Sequence, residues 1–115
     1  HVLSVHEEPV NISKRGKIAL EPGMVLSNEP GYYQTGKWGI RIENLVVVNA
    51  VNDTEFLQFE TITLCPFDRR LIDKTLMSAD EINWVNSYHC TVLAELLPRL
   101  SSPAKAWLKA ACRPL

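Results

Sequence analysis

Short apolar runs rich in β-branched residues fill the first half of the chain, and apolar residues at helical spacing fill the second half. The runs predict three strands, over residues 25–29, 40–48 and 56–64. Residues 1–6 alternate between apolar and polar side chains and are a candidate for a further short strand. Three glycines separate the first two main strands, which predicts an antiparallel hairpin with a long turn.

A capping box marks the start of the helical half. Ser78 is followed three residues later by Glu81, and the predicted helix continues to about Leu97. Its expected apolar face consists of Ile82, Val85, Tyr88 or His89, Val92 and Leu96. A second helix is predicted to begin at Ser102 and Pro103, with the proline at its first position. Strands followed by helices predict an α+β fold, an antiparallel hairpin sheet followed by two C-terminal helices.

Three bulky or polar side chains of the helical half are assigned to packing. Trp84 and Trp107 are expected in the core or between the helices. His89 is expected to pack against its neighbours or to form a hydrogen bond to the sheet. None of the three is taken as a ligand-binding residue on this pattern alone.

Two carboxylates stand in apolar surroundings. Glu29 ends the run that begins at Met24, and Glu43 lies inside the strand predicted over residues 40–48. Burying a carboxylate is costly unless an arginine, several hydrogen bonds or a metal ion compensates it. On one face of the hairpin, both glutamates can converge on a cation, and Arg41 lies on the same strand face as Glu43. The alternative is a plain hairpin in which Arg41 caps one glutamate and solvent surrounds the other.

Length and charge exclude several classes of protein. The chain has 115 residues, enough for one domain or part of one. With 12 basic and 13 acidic residues its net charge is −1, which gives no sign of nucleic-acid binding. No apolar stretch is long enough to span a bilayer. Three widely spaced cysteines fit neither a zinc motif nor a disulfide framework, so reduced thiols in a cytoplasmic protein are expected.

The ordered series of motifs resembles aminopeptidase P, the Xaa-Pro aminopeptidase family of the pita-bread metallopeptidases. The residues that carry the resemblance are Val5-His6-Glu7-x-Pro9, Pro22-Gly23-Met24-x-x-Ser27-x-Glu29-Pro30-Gly31-Tyr32-Tyr33, Gly39-Ile40-Arg41-Ile42-Glu43-Asn44, Phe56-Leu57-x-Phe59-Glu60-x-x-Thr63-Leu64-x-Pro66, Leu71-Ile72-Asp73 and Trp84-x-Asn86-x-Tyr88-His89. The later motifs resemble the C-terminal extension of the longer, eukaryotic-type cytosolic enzymes. The resemblance implies the C-terminal part of a pita-bread fold. Residues 1–50 are then the end of the catalytic domain and residues 51–115 are the extension.

The resemblance also implies a chemistry. The family removes an N-terminal residue that precedes proline, using two divalent ions, most commonly manganese. Glu29 and Glu43 are similar to its two glutamate ligands, and Glu29 can also shuttle a proton. His6 resembles the histidine that contacts the substrate or intermediate beside the metals. Arg41 and Tyr33 resemble groups that steady the ligands from outside.

The family's other ligands are two aspartates and a histidine, and they lie upstream of the matched region. With two of five ligands, the isolated chain is expected to be inactive as a peptidase. The complete enzyme is expected to be a homodimer acting on peptides with proline at the second position, without nucleic-acid or membrane partners. The alternative is a non-catalytic interaction or dimerisation module of the same fold, built on residues 56–115.

Overall fold

The computed structural model describes residues 10–115, so the strand predicted over residues 1–6 lies outside the described part of the chain. Two compact units divide the molecule, one ending at Thr63 and the other spanning Leu64–Leu115. The strands are β1 (Val25–Asn28), β2 (Gly31–Gln34), β3 (Trp38–Arg41), β4 (Asn44–Ala50) and β5 (Leu57–Thr61). The helices are α1 (Ala79–Leu96) and α2 (Ser102–Ala111), with single 3₁₀ turns at Arg69–Leu71, Lys74–Leu76 and Leu97–Arg99. Strands followed by two helices confirm the predicted α+β class.

The first unit contains two antiparallel sheets, and the β1–β4 and β2–β3 ladders within them share one register. Strands β1, β4 and β5 form a three-stranded sheet in the order β1–β4–β5, and β2 pairs with β3. Asn28 lies opposite Asn44 at the end of β1, and Gly31 lies opposite Arg41 at the start of β2. The β2–β3 ladder therefore continues the β1–β4 ladder in the same register. The long turn expected between the two strands is wrong, because most of its residues are paired. Pro30 has no N–H group and cannot complete the ladder at this point.

The tip of this hairpin is a tight turn. The Lys37 N–H group donates to the Gln34 carbonyl oxygen over 3.0 Å, and Gly36 adopts a φ of +70°. A positive φ at the third position of a turn favours glycine because a side chain there meets the backbone. The reversal thus takes three residues, and the remainder of the predicted turn is paired strand.

Alternation along β1 and β4 positions the core of the first unit. Leu26, Val46 and Val48 point to one face of the sheet and are buried. The partly buried side chains that pack against them are Val10, Leu20 and Met24. The burial of this face fixes the register, since a slip by one residue would expose all three core side chains.

The second unit is built around α1. Ser78 accepts a hydrogen bond from the Glu81 N–H group, and the Glu81 carboxylate accepts one from the Ser78 N–H group, so the predicted capping box is present. The helix buries Val85, Tyr88, His89 and Val92 on the predicted face. The core consists of Tyr88, Val92, Leu108 and Cys112, surrounded by the partly buried Leu64, Phe67, Leu93, Leu96, Leu97 and Leu100.

Two neighbouring side chains of α1 hold the segment that follows β5. The Tyr88 hydroxyl donates to the Cys65 carbonyl oxygen over 3.0 Å and accepts from the Cys65 N–H group over 3.3 Å. The Phe67 N–H group donates to Nε2 of His89 over 3.0 Å. His89 therefore bonds to the backbone just after the sheet rather than to a strand. Both contacts satisfy backbone groups that no strand partner satisfies.

Trp84 and Asn86, which precede Tyr88 and His89 in the same sequence motif, also make structural contacts. The ring of Trp84 stacks on Tyr88, with centroids 5.8 Å apart, and the Leu115 N–H group donates to Oδ1 of Asn86. Trp84 is nevertheless 53% exposed and Trp107 is 62% exposed, so of the two predicted positions, in the core or between the helices, the core is wrong for both tryptophans. In α2 the N-cap is Ser101, which places Pro103 second in the helix rather than first. The cysteines are free thiols, as predicted.

Candidate metal centre

The shared register of the two ladders determines where the glutamates lie. Continuing the register one step beyond the pair Asn28 and Asn44 places Glu29 opposite Glu43. The Ile42 N–H group donates to the Pro30 carbonyl oxygen over 3.2 Å, which continues the pairing through this step. That bond makes Pro30 and Ile42 a hydrogen-bonded pair. Hydrogen-bonded and non-hydrogen-bonded pairs alternate along an antiparallel ladder, so Glu29 and Glu43 form the adjacent non-hydrogen-bonded pair. In such pairs the side chains of directly opposed residues are at their closest.

The guanidinium group of Arg41 bridges the two carboxylates. Its Nη1 atom lies 3.4 Å from Oε2 of Glu29, and its Nη2 atom lies 3.6 Å from Oε2 of Glu43. The exposed fractions of the side chains are 25% for Glu29, 43% for Glu43 and 50% for Arg41. The plain hairpin, with one glutamate paired and the other left in solvent, is therefore wrong. Both carboxylates contact the positively charged group of Arg41.

Electrostatics explains this convergence. Two ionised carboxylates held side by side repel each other unless a positive charge lies between them. Both N···O distances exceed the roughly 2.7–2.9 Å of a tight charged hydrogen bond. At this exposure each pair contributes only about 0–1 kcal/mol. The guanidinium group is thus loosely held in front of the two carboxylates.

Tyr33 lies on the same face as the glutamates. Its ring lies across Gly31 and Gly39, where an added Cβ atom would come within 2.6 Å and 2.5 Å of tyrosine atoms respectively. The absence of side chains at the two glycines provides the space that the ring fills. The sequence did not predict that these glycines make room for the Tyr33 ring. The signal was present, because Gly31 and Gly39 both fall on the same face of the hairpin as Tyr33.

The opposite face of the β2–β3 hairpin is apolar and exposed. Tyr32 and Trp38 contact each other there, with ring centroids 5.4 Å apart. Ile40 and Ile42 follow on the same side, and all four side chains are exposed. Trp38 therefore lies on the face of the hairpin away from Glu29.

The donor set on the glutamate face suits a hard divalent cation. Carboxylate oxygens are the ligands that magnesium, calcium and manganese prefer. Within residues 10–115, no three side chains of His, Cys, Asp or Glu form a cluster able to hold a metal ion. His6 lies outside the described residues, so its position relative to the glutamates is a prediction. The described part of the chain thus contains two neighbouring carboxylates, Glu29 and Glu43, and no third candidate ligand beside them.

Two sequence families match the chain. The family described as the C-terminal region of peptidase M24 matches residues 55–115, and the one described as metallopeptidase family M24 matches residues 2–50.

In the part of the chain that the structure describes, no helix combines the length and the apolar character needed to cross a membrane.

Relatives agree in name and extend far beyond this chain. "Probable Xaa-Pro aminopeptidase P" of Coprinopsis cinerea is 43% identical over the whole chain, which covers 20% of that protein. "Aminopeptidase P1" of Lotus japonicus is 42% identical over 98% of the chain, which covers 18% of that protein. The chain therefore spans about a fifth of the length of these relatives.

A solved structure shares the fold. The X-prolyl aminopeptidase of Caenorhabditis elegans, described as a cytosolic enzyme with a di-nuclear active site, is 39% identical. It superposes with a TM-score of 0.78 over the whole of this chain, which covers 20% of that protein. This match confirms the predicted C-terminal part of a pita-bread fold.

Proposed function

The chain belongs to the M24 family of metallopeptidases, and from that premise we propose that it is the C-terminal part of a dimetal Xaa-Pro aminopeptidase. The activity is removal of the N-terminal residue of a peptide whose second residue is proline. One observation carries the proposal: Glu29 and Glu43 lie opposite each other and converge on one cation. The names of the relatives support the peptide class, and the di-nuclear site of the C. elegans enzyme supports two metal ions.

The two glutamates have the chemistry that the role requires. Their oxygens face one point in front of the hairpin, so Glu29 and Glu43 would hold divalent ions there, most commonly manganese. When bound, such ions supply Lewis-acid activation of water near neutral pH. Glu29 would also accept and return the proton of that water. His6, with its imidazole N–H group, would donate a hydrogen bond to the substrate.

Two neighbouring side chains would orient the ligands. Arg41 contacts both carboxylates and limits where they point. Tyr33, whose ring lies across Gly31 and Gly39 on the same face, would limit the carboxylates from that side. Outer contacts of this kind typically change metal affinity or activity by about 10–100-fold when they are lost. We further propose that the complete enzyme is a cytoplasmic homodimer, as the cytosolic C. elegans enzyme suggests for the location.

A chimera tests this function. The chain replaces the matching fifth of the C. elegans enzyme, and cleavage of an Xaa-Pro peptide is measured with manganese. Glu29→Gln and Glu43→Gln should each lower activity by at least about 100-fold, because each removes a ligand rather than an outer contact. Glu55→Gln, an exposed carboxylate of the same unit, is the matched control and should leave activity unchanged.

Several results of that experiment would contradict the proposal. Full activity in Glu29→Gln or Glu43→Gln would remove these residues from the metal site. Equal cleavage of a peptide with alanine at the second position would remove the proline specificity. The 115-residue chain alone should show no turnover. Turnover by the chain alone would show that two ligands are enough, and that the expected inactivity is wrong.

A further inference from the structure

The position of Arg41 is that of a cation between two ligand carboxylates. One nitrogen faces Glu29 at 3.4 Å and the other faces Glu43 at 3.6 Å. These two N···O separations are too long for a locked fork of charged hydrogen bonds. The side chain is half exposed, so it can turn into solvent without leaving a cavity. Arg41 is thus held mainly by charge.

The charge of Arg41 has opposite effects on the metal-free site and on the metal-bound site. Without a metal, its charge offsets the repulsion between the opposed glutamates. With a divalent ion between the carboxylates, that compensation is redundant, and the guanidinium and the ion repel each other. One side chain therefore stabilises the metal-free site and opposes its loading.

We propose that Arg41 is a charge placeholder, which occupies the cation position between Glu29 and Glu43 until a divalent ion displaces it. The inference rests on the proposed function, because it presumes that the two glutamates are metal ligands. It is opposite in sign to a role in orienting the ligands, since that role predicts weaker metal binding when the arginine is removed. The placeholder predicts tighter binding.

The experiment uses the 115-residue chain with Mn²⁺ alone as the probe. Calorimetry gives the Kd, and thermal unfolding gives the Tm with and without the metal. Arg41→Gln should lower the Kd for Mn²⁺ by at least about tenfold, the scale set by removing one positive charge a few ångströms from a doubly charged ion. It should also lower the metal-free Tm and increase the rise in Tm that Mn²⁺ produces.

Two further variants separate charge from shape. Arg41→Lys keeps the charge and should bind Mn²⁺ nearly as the natural chain does. Arg15→Gln removes a charge elsewhere in the same unit and should change the Kd little. Adding Glu29→Gln to Arg41→Gln should abolish the gain, which shows that the ion sits at the carboxylates.

An unchanged or raised Kd in Arg41→Gln overturns the inference, as does the absence of Mn²⁺ binding in both chains. Equal tightening in Arg41→Lys overturns it as well, because the charge would then be irrelevant. The proposed function fails separately, through the chimera. If Arg41→Gln changes nothing while Glu29→Gln inactivates the chimera, the metal site stands and only the placeholder is lost.

Discussion

Acidification should destabilise the second unit through His89, a side chain with no exposed surface. Its Nε2 atom accepts the Phe67 N–H group, so in the neutral ring the proton is on Nδ1. The Nδ1 atom is buried without a hydrogen-bond partner among the described residues. Protonation would turn Nε2 from an acceptor into a donor that faces another donor. Burial, and then the charge of Arg69, lower the pKa of His89 below its usual value.

The direction of the pH effect follows from this lowered pKa. In the unfolded chain the imidazole takes up a proton near its usual pKa of 6.5, whereas in the folded chain it does so only at lower pH. Its contribution to stability is complete above that value and is lost as the pH falls toward the folded-state pKa. The slope cannot exceed about 1.4 kcal/mol per pH unit. The free energy of unfolding should therefore fall by at most about 1.4 kcal/mol between pH 8 and pH 5.5.

Urea unfolding at several pH values measures this loss. Both α-helices lie in the second unit, so far-ultraviolet circular dichroism reports mainly on it. His89→Gln is the matched control, because its amide oxygen can accept the Phe67 N–H group and does not titrate. Subtracting its profile removes the contributions of His1 and His6. Asp68 does not interfere, since the hydrogen bond from Arg70 lowers its pKa to about 2.

Two results would refute this reasoning. The first is an identical pH profile for the natural chain and His89→Gln between about pH 8 and pH 5.5. The second is a protection factor of the Phe67 amide, the intrinsic exchange rate divided by the one measured by nuclear magnetic resonance, that stays the same when the pH falls below the folded-state pKa of His89. Either result would mean that protonation of the imidazole does not destabilise the folded chain, so that the hydrogen bond from Phe67 does not favour the neutral ring.

Three further predictions concern single contacts. Ser78→Ala removes the capping box and should cost about 1 kcal/mol in urea unfolding, whereas Ser78→Thr should cost little. Tyr88→Phe removes both hydrogen bonds to the Cys65 backbone and should cost about 1–3 kcal/mol by the same measurement; an unchanged midpoint would mean that water replaces the hydroxyl. The double variant Glu29→Cys and Glu43→Cys should form a disulfide detectable by mass spectrometry, because opposed residues of a non-hydrogen-bonded pair approach closely. A cysteine pair displaced by two residues along one strand should not.

Local signals in the sequence predicted most of the fold. The box at Ser78 and the spacing of Val85 and Val92 define α1, because capping and periodicity depend only on nearby residues. The convergence of Glu29 and Glu43 was also foreseeable, since one hairpin contains both. The pairing around Pro30 was not, because a proline and three glycines look like a turn unless the register is known.

Burial was harder to predict than the elements themselves. Trp107 is 62% exposed whereas Leu108, its neighbour on α2, is buried. A ten-residue helix with several small residues offers more than one apolar stripe, so its sequence does not decide which stripe faces the core. Metal ligands supplied by other parts of the family's polypeptide are likewise beyond any local signal in this chain.

Side chains that alternate between the two faces of the hairpin place the core residues on one face and the two glutamates on the other. Leu26, Val46 and Val48 point to the packed face, whereas Glu29 and Glu43 point to the other. Arg41, which contacts both carboxylates, belongs to the same hairpin, so this part of their arrangement depends on residues that are close in the sequence. Substitutions at the glutamates should therefore change cation binding while the buried face stays intact. If the glutamates bind metal as proposed, the affinity of this chain should be limited by the number of ligands it supplies and by competition from Arg41, not by the arrangement of the two carboxylates.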